Sequence, residues 1–371
     1  DNTLFNNSGI GRFNLSVPGL AGSITVSKNT PLSLPDNGLL ELNAFISEVE
    51  SSITSHGGDI SISGESVRLN SGSDIIVSGR WVNDNFNVLA NQKPNQDLLV
   101  VDGGDVTLSG NAEVSISSGS IIDVSGGAYL PVNGDRSDVV AGNAGRISVL
   151  TEPTPINNND AVLDINGSFK CFSLIGGQGG TLEIQANGVE INASGTGPNS
   201  AITYLDDNLF ASGGFQEYLV SSTRSGLVVD SSANINSIIK NYTLNSAAIL
   251  AKSGAPLSSV SIIETSPDYL RSPTSINFSA LQSSIITNAD KGLSNLIIES
   301  GARVNADIQG EIVLTSDNSL LVNGLLSAPS GSIELDIIAP TYDGRDLGFL
   351  ADQYIWLDST ARLDVSGVVV S

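Results

Sequence analysis

The sequence predicts an all-β fold: a right-handed parallel β-helix (β-solenoid) with loop or hairpin excursions. Three observations predict it, namely a repeated phrase of short apolar pairs, a high density of turn residues and few charged residues. The phrase is clearest at 103–127, GGDVTLSGNAEVSISSGSIIDVSGG, and it recurs at 57–79, GGDISISGESVRLNSGSDIIVSG. Each copy holds three apolar pairs separated by Gly, Ser or Asn, the pattern of three short strands joined by turns. One copy cannot bury its apolar edge alone, so we expect the copies to stack in triangular coils, with the right-handed winding usual for parallel strands.

The composition agrees with a turn-dense β protein. Charged residues make up 15% of the 371 residues, against roughly a quarter in an average soluble protein. Many of the 39 glycines end short apolar pairs, where turns need a residue that tolerates positive φ. A repeat array can form one continuous core over such a length, so we predict that 1–371 is a single shaft segment.

The positions of the apolar pairs predict how long one coil is. The pair at Ile312 and Leu314 is followed by a pair at Ile333 and Leu335, a step of 21 positions. Such a step has room for three short strands and three corners. We therefore expect regular winding to continue through most of 227–330.

Four irregular excursions interrupt the phrases, near 80–102, 128–160, 196–225 and 266–275. The first separates two near-identical coils, so we interpret it as a hairpin lying over one edge. Prolines at 153 and 155 cannot donate ladder hydrogen bonds, which favours an extruded loop there. Aromatic residues gather in the third excursion, either as a packed cap or as an exposed loop that grips a ligand.

Charge and cysteine content exclude several classes of partner. The net charge of −23 would be repelled by nucleic acid and by an anionic membrane surface. It fits solubility of a long extracellular surface, with multi-site cation binding as the alternative. The longest apolar runs, such as 98–101, are too short for membrane insertion. Cys171 is the only cysteine, so it forms no intramolecular disulfide, and we expect a buried, inert thiol.

Three phrases carry a resemblance to a known family: GSIIDVSGGAYL at 119–130, DIIVSGRWVND at 74–84 and YIWLDSTARLDVSGV at 354–368. They resemble the filamentous haemagglutinin family, the large exoproteins that Gram-negative bacteria export by two-partner secretion. The resemblance implies secretion to the cell surface through an outer-membrane pore partner, and a role in adhesion, aggregation or fibre formation. The chain starts at Asp1 without a leader, so either a leader was removed or the chain is a fragment, and the abrupt end at Val370 and Ser371 favours the fragment. Because the family's secretion domain is not seen, we expect a fragment of the shaft.

Enzymatic alternatives depend on paired carboxylates. Parallel β-helices also carry polysaccharide lyases and hydrolases, whose acids would lie in adjacent coils. The acids considered are Asp59, Asp74, Asp105, Asp123 and the pair Asp206 and Asp207. The coil acids are ordinary turn residues, and the pair lacks a nearby base, so we predict no catalytic residues. His56 stands alone and predicts no metal site, and we expect no cofactor.

We therefore predict a non-catalytic surface protein that binds a host or bacterial glycan or protein, or other copies of itself. In the glycan-binding alternative, aromatic residues of the excursions form the contact: Trp81, Phe86, Tyr129 and Tyr204. In the second alternative, the protein is a self-assembling filament or matrix subunit, because open coil ends are unpaired edges.

Overall fold

A computed structural model describes residues 11–17, 19–90, 99–151, 161–282, 294–342, 345–346, 348–349 and 351–368. Strands account for 46% of the structure and helix is almost absent. The α-helix α1 spans Asp84–Leu89. Single turns of 3-10 helix occupy Arg136–Asp138, Asp207–Ala211, Ala248–Leu250, Leu257–Ser259 and Asp268–Leu270. The prediction of an all-β fold is confirmed.

The strands are short and follow one another in the order below. The first half of the chain contains β1 (Arg12–Val17), β2 (Ser23–Val26), β3 (Leu32–Ser33), β4 (Leu39–Val49), β5 (Ile53–Thr54), β6 (Asp59–Leu69), β7 (Asp74–Ile76), β8 (Trp81–Asn83), β9 (Val106–Ile116), β10 (Ile121–Asp123), β11 (Ala128–Leu130), β12 (Val140–Ala141), β13 (Arg146–Thr151), β14 (Val162–Ile165), β15 (Ser168–Lys170), β16 (Thr181–Ala186) and β17 (Val189–Asn192). The second half contains β18 (Thr203–Asp206), β19 (Glu217–Ser222), β20 (Leu227–Val229), β21 (Asn234–Ser237), β22 (Asn241–Leu244), β23 (Ser261–Glu264), β24 (Ser275–Ala280), β25 (Leu296–Ile298), β26 (Arg303–Ala306), β27 (Glu311–Ser316), β28 (Ser319–Val322), β29 (Leu325–Ser327), β30 (Ser332–Ile337), β31 (Thr341–Tyr342), β32 (Arg345–Asp346), β33 (Tyr354–Leu357) and β34 (Arg362–Asp364).

Most of these strands form parallel sheets. The largest sheet has 12 strands in the order β1-β4-β6-β9-β13-β16-β19-β24-β27-β30, with β14 on β9 and β2 on β4. Further parallel sheets follow the orders β15-β10-β7-β5-β3, β18-β17-β20-β25-β28-β33 and β21-β26-β29-β34. Antiparallel pairs are confined to β11 with β12, β22 with β23 and β31 with β32 among the described residues.

The strand register confirms the repeat that the sequence predicts. Ile60 of β6 lies opposite Val106 of β9, and Ile75 of β7 lies opposite Ile122 of β10. The predicted step of 21 positions is also observed, because Ile312 of β27 pairs with Ile333 of β30. Equivalent positions of the repeated phrase therefore stack directly on one another.

The inward side chains of the sheets form one long apolar core that runs from Ile24 to Ala328. Ile62 and Leu108 are fully buried in it, which follows from strands whose alternate residues face inward. The core includes the aromatic rings of Phe210, Phe278 and Tyr218, where Phe210 lies 5.1 Å from Tyr218 and 5.7 Å from Phe278 between ring centroids. Phe210, Phe215 and Tyr218 of the predicted 196–225 excursion are thus core, whereas an exposed loop was the other alternative.

A column of glycines marks the corner before the largest sheet. At each step, a Cβ on one glycine would overlap the carbonyl oxygen of the preceding glycine in the series Gly38, Gly58, Gly104, Gly145 and Gly180. Because the opposing atom is backbone, it cannot rotate away as a side chain can. The second Gly of each repeated phrase, Gly58 or Gly104, is therefore required by the close approach of neighbouring backbone segments.

The predicted excursions are partly right. Residues 81–89 and 128–141 leave the large sheets as expected, and 91–98 and 152–160 lie outside the described residues. Two predicted ranges were too wide, since β13 within 128–160 and β19 within 196–225 both belong to the largest sheet. One excursion was missed: β22 and β23 form a hairpin over 241–264, where regular coils were expected.

Candidate functional site

A second apolar cluster lies apart from the core of the sheets. We call it the side cluster, and it consists of Trp81, Ala128, Leu130, Phe172, Leu174, Tyr242, Ala248, Leu257 and Val260. Its members come from four chain segments, each of which leaves the regular sheets for a short distance. The side cluster is therefore a small core built only from excursions.

Short strand pairings bring these segments together. β11 pairs in parallel with β8, so that Ala128 lies opposite Trp81, and β11 also pairs with β12. Leu174 forms an isolated parallel bridge with Tyr242. The ring of Tyr242 packs against Phe172 with 5.2 Å between centroids. The hairpin of β22 and β23 thus lies beside the hairpin of β11 and β12.

Hydrogen bonds fasten the missed hairpin to the first excursion. Asn83 is fully buried, and its Nδ2 donates to the carbonyl oxygens of Ala248, Ile249 and Ala251 at 3.3, 2.8 and 2.9 Å. The indole Nε1 of Trp81 donates to the carbonyl of Ala251 at 3.4 Å. These bonds join residues more than 160 positions apart, so the side cluster depends on contacts that no local pattern encodes.

A surface cavity of about 270 Å³ opens in the side cluster. It is lined by residues at β12, at β22 and in the 174–175 turn, and the lining combines apolar and polar groups. The lining residues are Arg136, Val139, Ala141, Leu174, Ile175, Tyr242, Thr243 and Leu244. Ile175 is 40% exposed, and the one charged group of the lining is the guanidinium of Arg136.

The four aromatic residues predicted to bind a glycan do not form one surface. Trp81 is fully buried and offers no face to a ligand, because it packs inside the side cluster. Tyr129 is half-buried, and its hydroxyl donates to Oδ2 of Asp84 at 3.1 Å. Phe86 is half-buried on α1 near these two residues. Tyr204 lies elsewhere, on β18, where its hydroxyl accepts from the backbone N–H of Asn199 at 3.2 Å. A ligand role for Phe86, Tyr129 and Tyr204 stays a prediction.

The cavity residues were not predicted, although the sequence contained a signal for them. Arg136 and Val139 fall inside a predicted excursion, but only aromatic residues of the excursions were predicted to bind a ligand. Tyr242 and Leu244 belong to the missed hairpin, where Pro256 and the absence of Gly-ended apolar pairs distinguish 241–264 from the regular phrases.

Four of the carboxylates considered for catalysis accept hydrogen bonds in turns or between neighbouring strand segments. Oδ1 of Asp59 accepts from the backbone N–H of Asp105 at 3.1 Å, and Oδ1 of Asp105 accepts from that of Arg146 at 2.8 Å. Asp206 caps the following 3-10 turn, and buried Asp207 accepts from the N–H of Asn234 at 2.7 Å.

The two remaining acids are likewise in ordinary strand positions. Asp74 begins β7, and Asp123, at the end of β10, accepts from the N–H of Ser125 at 3.0 Å.

A charge cluster with a buried Arg271–Asp307 pair ties the 266–273 loop to the residue that follows β26. Arg271 donates to both carboxylate oxygens of Asp307 at 2.6 and 2.7 Å and pairs with Asp268 at 2.7 Å. The side chains of Arg271 and Asp307 are 8% and 4% exposed. Each charge is matched by the other, so this cluster has a structural use and leaves no group directed at a ligand.

Metal-binding and membrane-spanning features are not found in the part of the chain that the structure describes. No group of three His, Cys, Asp or Glu side chains there could hold a metal ion. Nδ1 of His56 donates to the carbonyl of Ser78 at 2.8 Å. No helix among the described residues has the length and apolar character needed to cross a membrane.

Comparison with protein-family models, with curated proteins and with solved structures finds no match for this chain.

Proposed function

We propose that the parallel sheets wind as one right-handed β-helix, and that the protein is a non-catalytic, secreted surface exoprotein that adheres or aggregates through its side cluster. The observation that carries this proposal is the convergence of separate excursions on one cluster with an open cavity. The repeated corners, by contrast, use their polar groups in bonds between coils.

The winding is supported by the order in which strands enter different sheets. Consecutive strands β6, β7 and β8 enter three sheets, and β9, β10 and β11 pair with them in the same order. A chain that visits each sheet once per repeat describes a coil, and parallel crossovers are right-handed in nearly all proteins.

The location of the protein outside the cell is supported by composition and by the resemblance to the filamentous haemagglutinin family. A chain with one cysteine and few charges suits export as an unfolded polypeptide through an outer-membrane pore partner. A host or bacterial glycan or protein is the partner proposed for the mature surface protein.

The adhesive function can be tested with beads coated with the purified protein and incubated with epithelial or bacterial cells. Ile175→Lys places a charge in the lining of the cavity and should remove most of the adhesion. Val162→Lys is the matched control, because Val162 is similarly exposed, at 39% against 40%, but lies on β14 of the largest sheet. Equal adhesion of the two variants, or adhesion no stronger than that of uncoated beads, would contradict the proposal.

A second candidate function is self-assembly into a filament. β33 and β34 are the outermost strands of their sheets as described, and Ile355, Trp356 and Leu357 are 43%, 58% and 49% exposed. An apolar, unpaired strand edge accepts further strands. Filaments in electron micrographs of the wild-type protein that vanish in Trp356→Lys would favour this function, and a monodisperse wild-type protein at all concentrations would exclude it.

The alternative of a polysaccharide lyase or hydrolase has less support, since the corner acids accept backbone hydrogen bonds. Measurable turnover of polyuronates, lost on Asp206→Asn, would restore it.

A further inference from the structure

We propose that the cavity of the side cluster binds a small organic carboxylate, which for a surface protein is one uronic-acid residue of a glycan, and that Arg136 pairs with the carboxylate. This inference rests on the proposed function for its biological role and names the ligand class for that site. It is argued from the charge, shape and lining of the cavity.

Arg136 differs from most arginines of the described chain in forming no ion pair there. Carboxylates neutralise six others: Arg12, Arg68, Arg80, Arg146, Arg271 and Arg362. The chain has 39 acidic residues and only 16 Lys and Arg, so an unpaired guanidinium is unusual where carboxylates are so abundant. Its planar donor group fits a carboxylate with two parallel hydrogen bonds.

The acidic neighbours of Arg136 are held by their own turn. Oδ1 of Asp135 accepts from the N–H and the hydroxyl of Ser137 at 2.7 and 2.5 Å. Oδ2 of Asp138 accepts from the N–H of Asp135 at 2.9 Å. Both carboxylates are therefore used in a capping box, and the guanidinium is left for a ligand.

The aliphatic side chains in the lining of the cavity favour a ligand with an apolar surface, which an inorganic anion lacks. Val139, Ile175 and Leu244 offer aliphatic surface, and Thr243 adds a hydroxyl. The volume of about 270 Å³ is below the roughly 300 Å³ at which drug-sized pockets begin. One ring with C–H faces and a carboxylate matches both the size and the lining, whereas a bare phosphate would leave the apolar walls uncovered.

The test is titration of the purified full chain by ligand-observed NMR with three probes: methyl β-D-glucuronide, methyl β-D-glucoside and inorganic phosphate. The two glycosides differ in one carboxylate, so the pair isolates the role of charge. We expect the glucuronide to bind at least about tenfold more tightly than the glucoside and than phosphate, as charge-assisted hydrogen bonds predict.

Two variants locate the interaction. Arg136→Gln should weaken glucuronide binding by about tenfold, and Arg303→Gln should leave it unchanged. Arg303 is a matched control because it is an exposed arginine on β26, away from the cavity. Circular dichroism of both variants should match that of the wild-type protein.

Three results would overturn the proposal: equal binding of glucuronide and glucoside, phosphate binding as tight as glucuronide binding, or unchanged glucuronide binding in Arg136→Gln. Failure of the adhesive function is a separate result. If the wild-type protein binds glucuronide but the coated beads do not adhere, the adhesive function is rejected and the ligand class stands. If the beads adhere but the protein does not bind glucuronide, the ligand class is rejected and the adhesive function stands.

Discussion

The sheets and the side cluster are stabilised by different kinds of contact, although they belong to one chain. In the sheets, an inward residue stacks on its equivalent in the neighbouring strand, and one such column runs through Ile60, Val106, Ile147, Leu182, Tyr218, Ile276, Ile312 and Ile333. In the side cluster, each contact occurs once, as between Asn83 and Ala251. The sheets are therefore stabilised by repeated contacts, whereas the side cluster is stabilised by contacts that each occur once.

The difference has a consequence for stability and for function. A stacked column contributes the same kind of nearest-neighbour contact at every step, so stability spreads along the array. The side cluster has a small core that depends on distant segments, so it should open at a lower free energy than the sheets. Its unique contacts also make it the part of the molecule that can be specific for one partner.

The largest expected effect is on the side cluster. Trp81→Ala empties the centre of a small core, which costs about 3–5 kcal/mol for a buried Trp. Amide hydrogen exchange should quicken in 81–89, 128–141 and 241–264 and stay unchanged in β6 and β9. Trp81→Phe, which keeps most of the packing, is the control and should have a much smaller effect. A uniform loss of protection in both regions would show that the two are one cooperative unit.

A smaller but global effect is expected from the glycine column. In Gly145→Ala, the new methyl group would overlap the carbonyl of Gly104, and forcing these two backbone segments apart should cost about 1–3 kcal/mol. The midpoint of denaturant unfolding should fall accordingly. Gly367→Ala is the matched control, because a Cβ there has nothing within 4 Å. An unchanged midpoint for Gly145→Ala would mean that the coils can separate freely at this corner.

The same comparison explains what the sequence could predict. Repetition makes the stacked strands predictable, because Ile60 and Ile62 recur as Val106 and Leu108 in the same setting. The all-β class, the step of 21 positions and the strand register could be predicted from that repetition. The side cluster has no second copy to compare with, so the pairing of Leu174 with Tyr242 could not be derived from spacing. The prediction that Trp81 binds a glycan was wrong for the same reason. Trp81 is buried in the side cluster, which forms only when the distant 248–260 segment packs against it.

A moderate pH effect is expected in the regular coils. Burial lowers the pKa of His56 below its ordinary value of about 6.5, although its hydrogen bond to the Ser78 carbonyl favours the charged form. The folded protein therefore binds this proton less readily than the unfolded chain. The resulting stability is present above pH of about 6.5 and is lost as the pH falls towards the folded pKa.

His56→Gln isolates this effect, because it removes the titrating group and leaves the acids in place. The loss of unfolding free energy between pH 7.5 and 5.5 should be smaller in the variant than in the wild-type protein. The single histidine also gives one imidazole signal in NMR, whose midpoint should lie below that of the urea-unfolded chain. A midpoint above it would reverse the sign of the prediction.

The smallest effect concerns Cys171. This residue lies in the core of the sheets, and the next residue, Phe172, belongs to the side cluster. The thiol is fully buried in the core of the sheets, and burial raises its pKa well above the ordinary range. A disulfide reagent should therefore leave it unmodified at pH 8 in the folded protein and modify it after denaturation. In Trp81→Ala, the thiol should remain unmodified if the sheets stay closed while the side cluster opens. Rapid modification in that variant would show that opening of the side cluster also exposes the core of the sheets at Cys171.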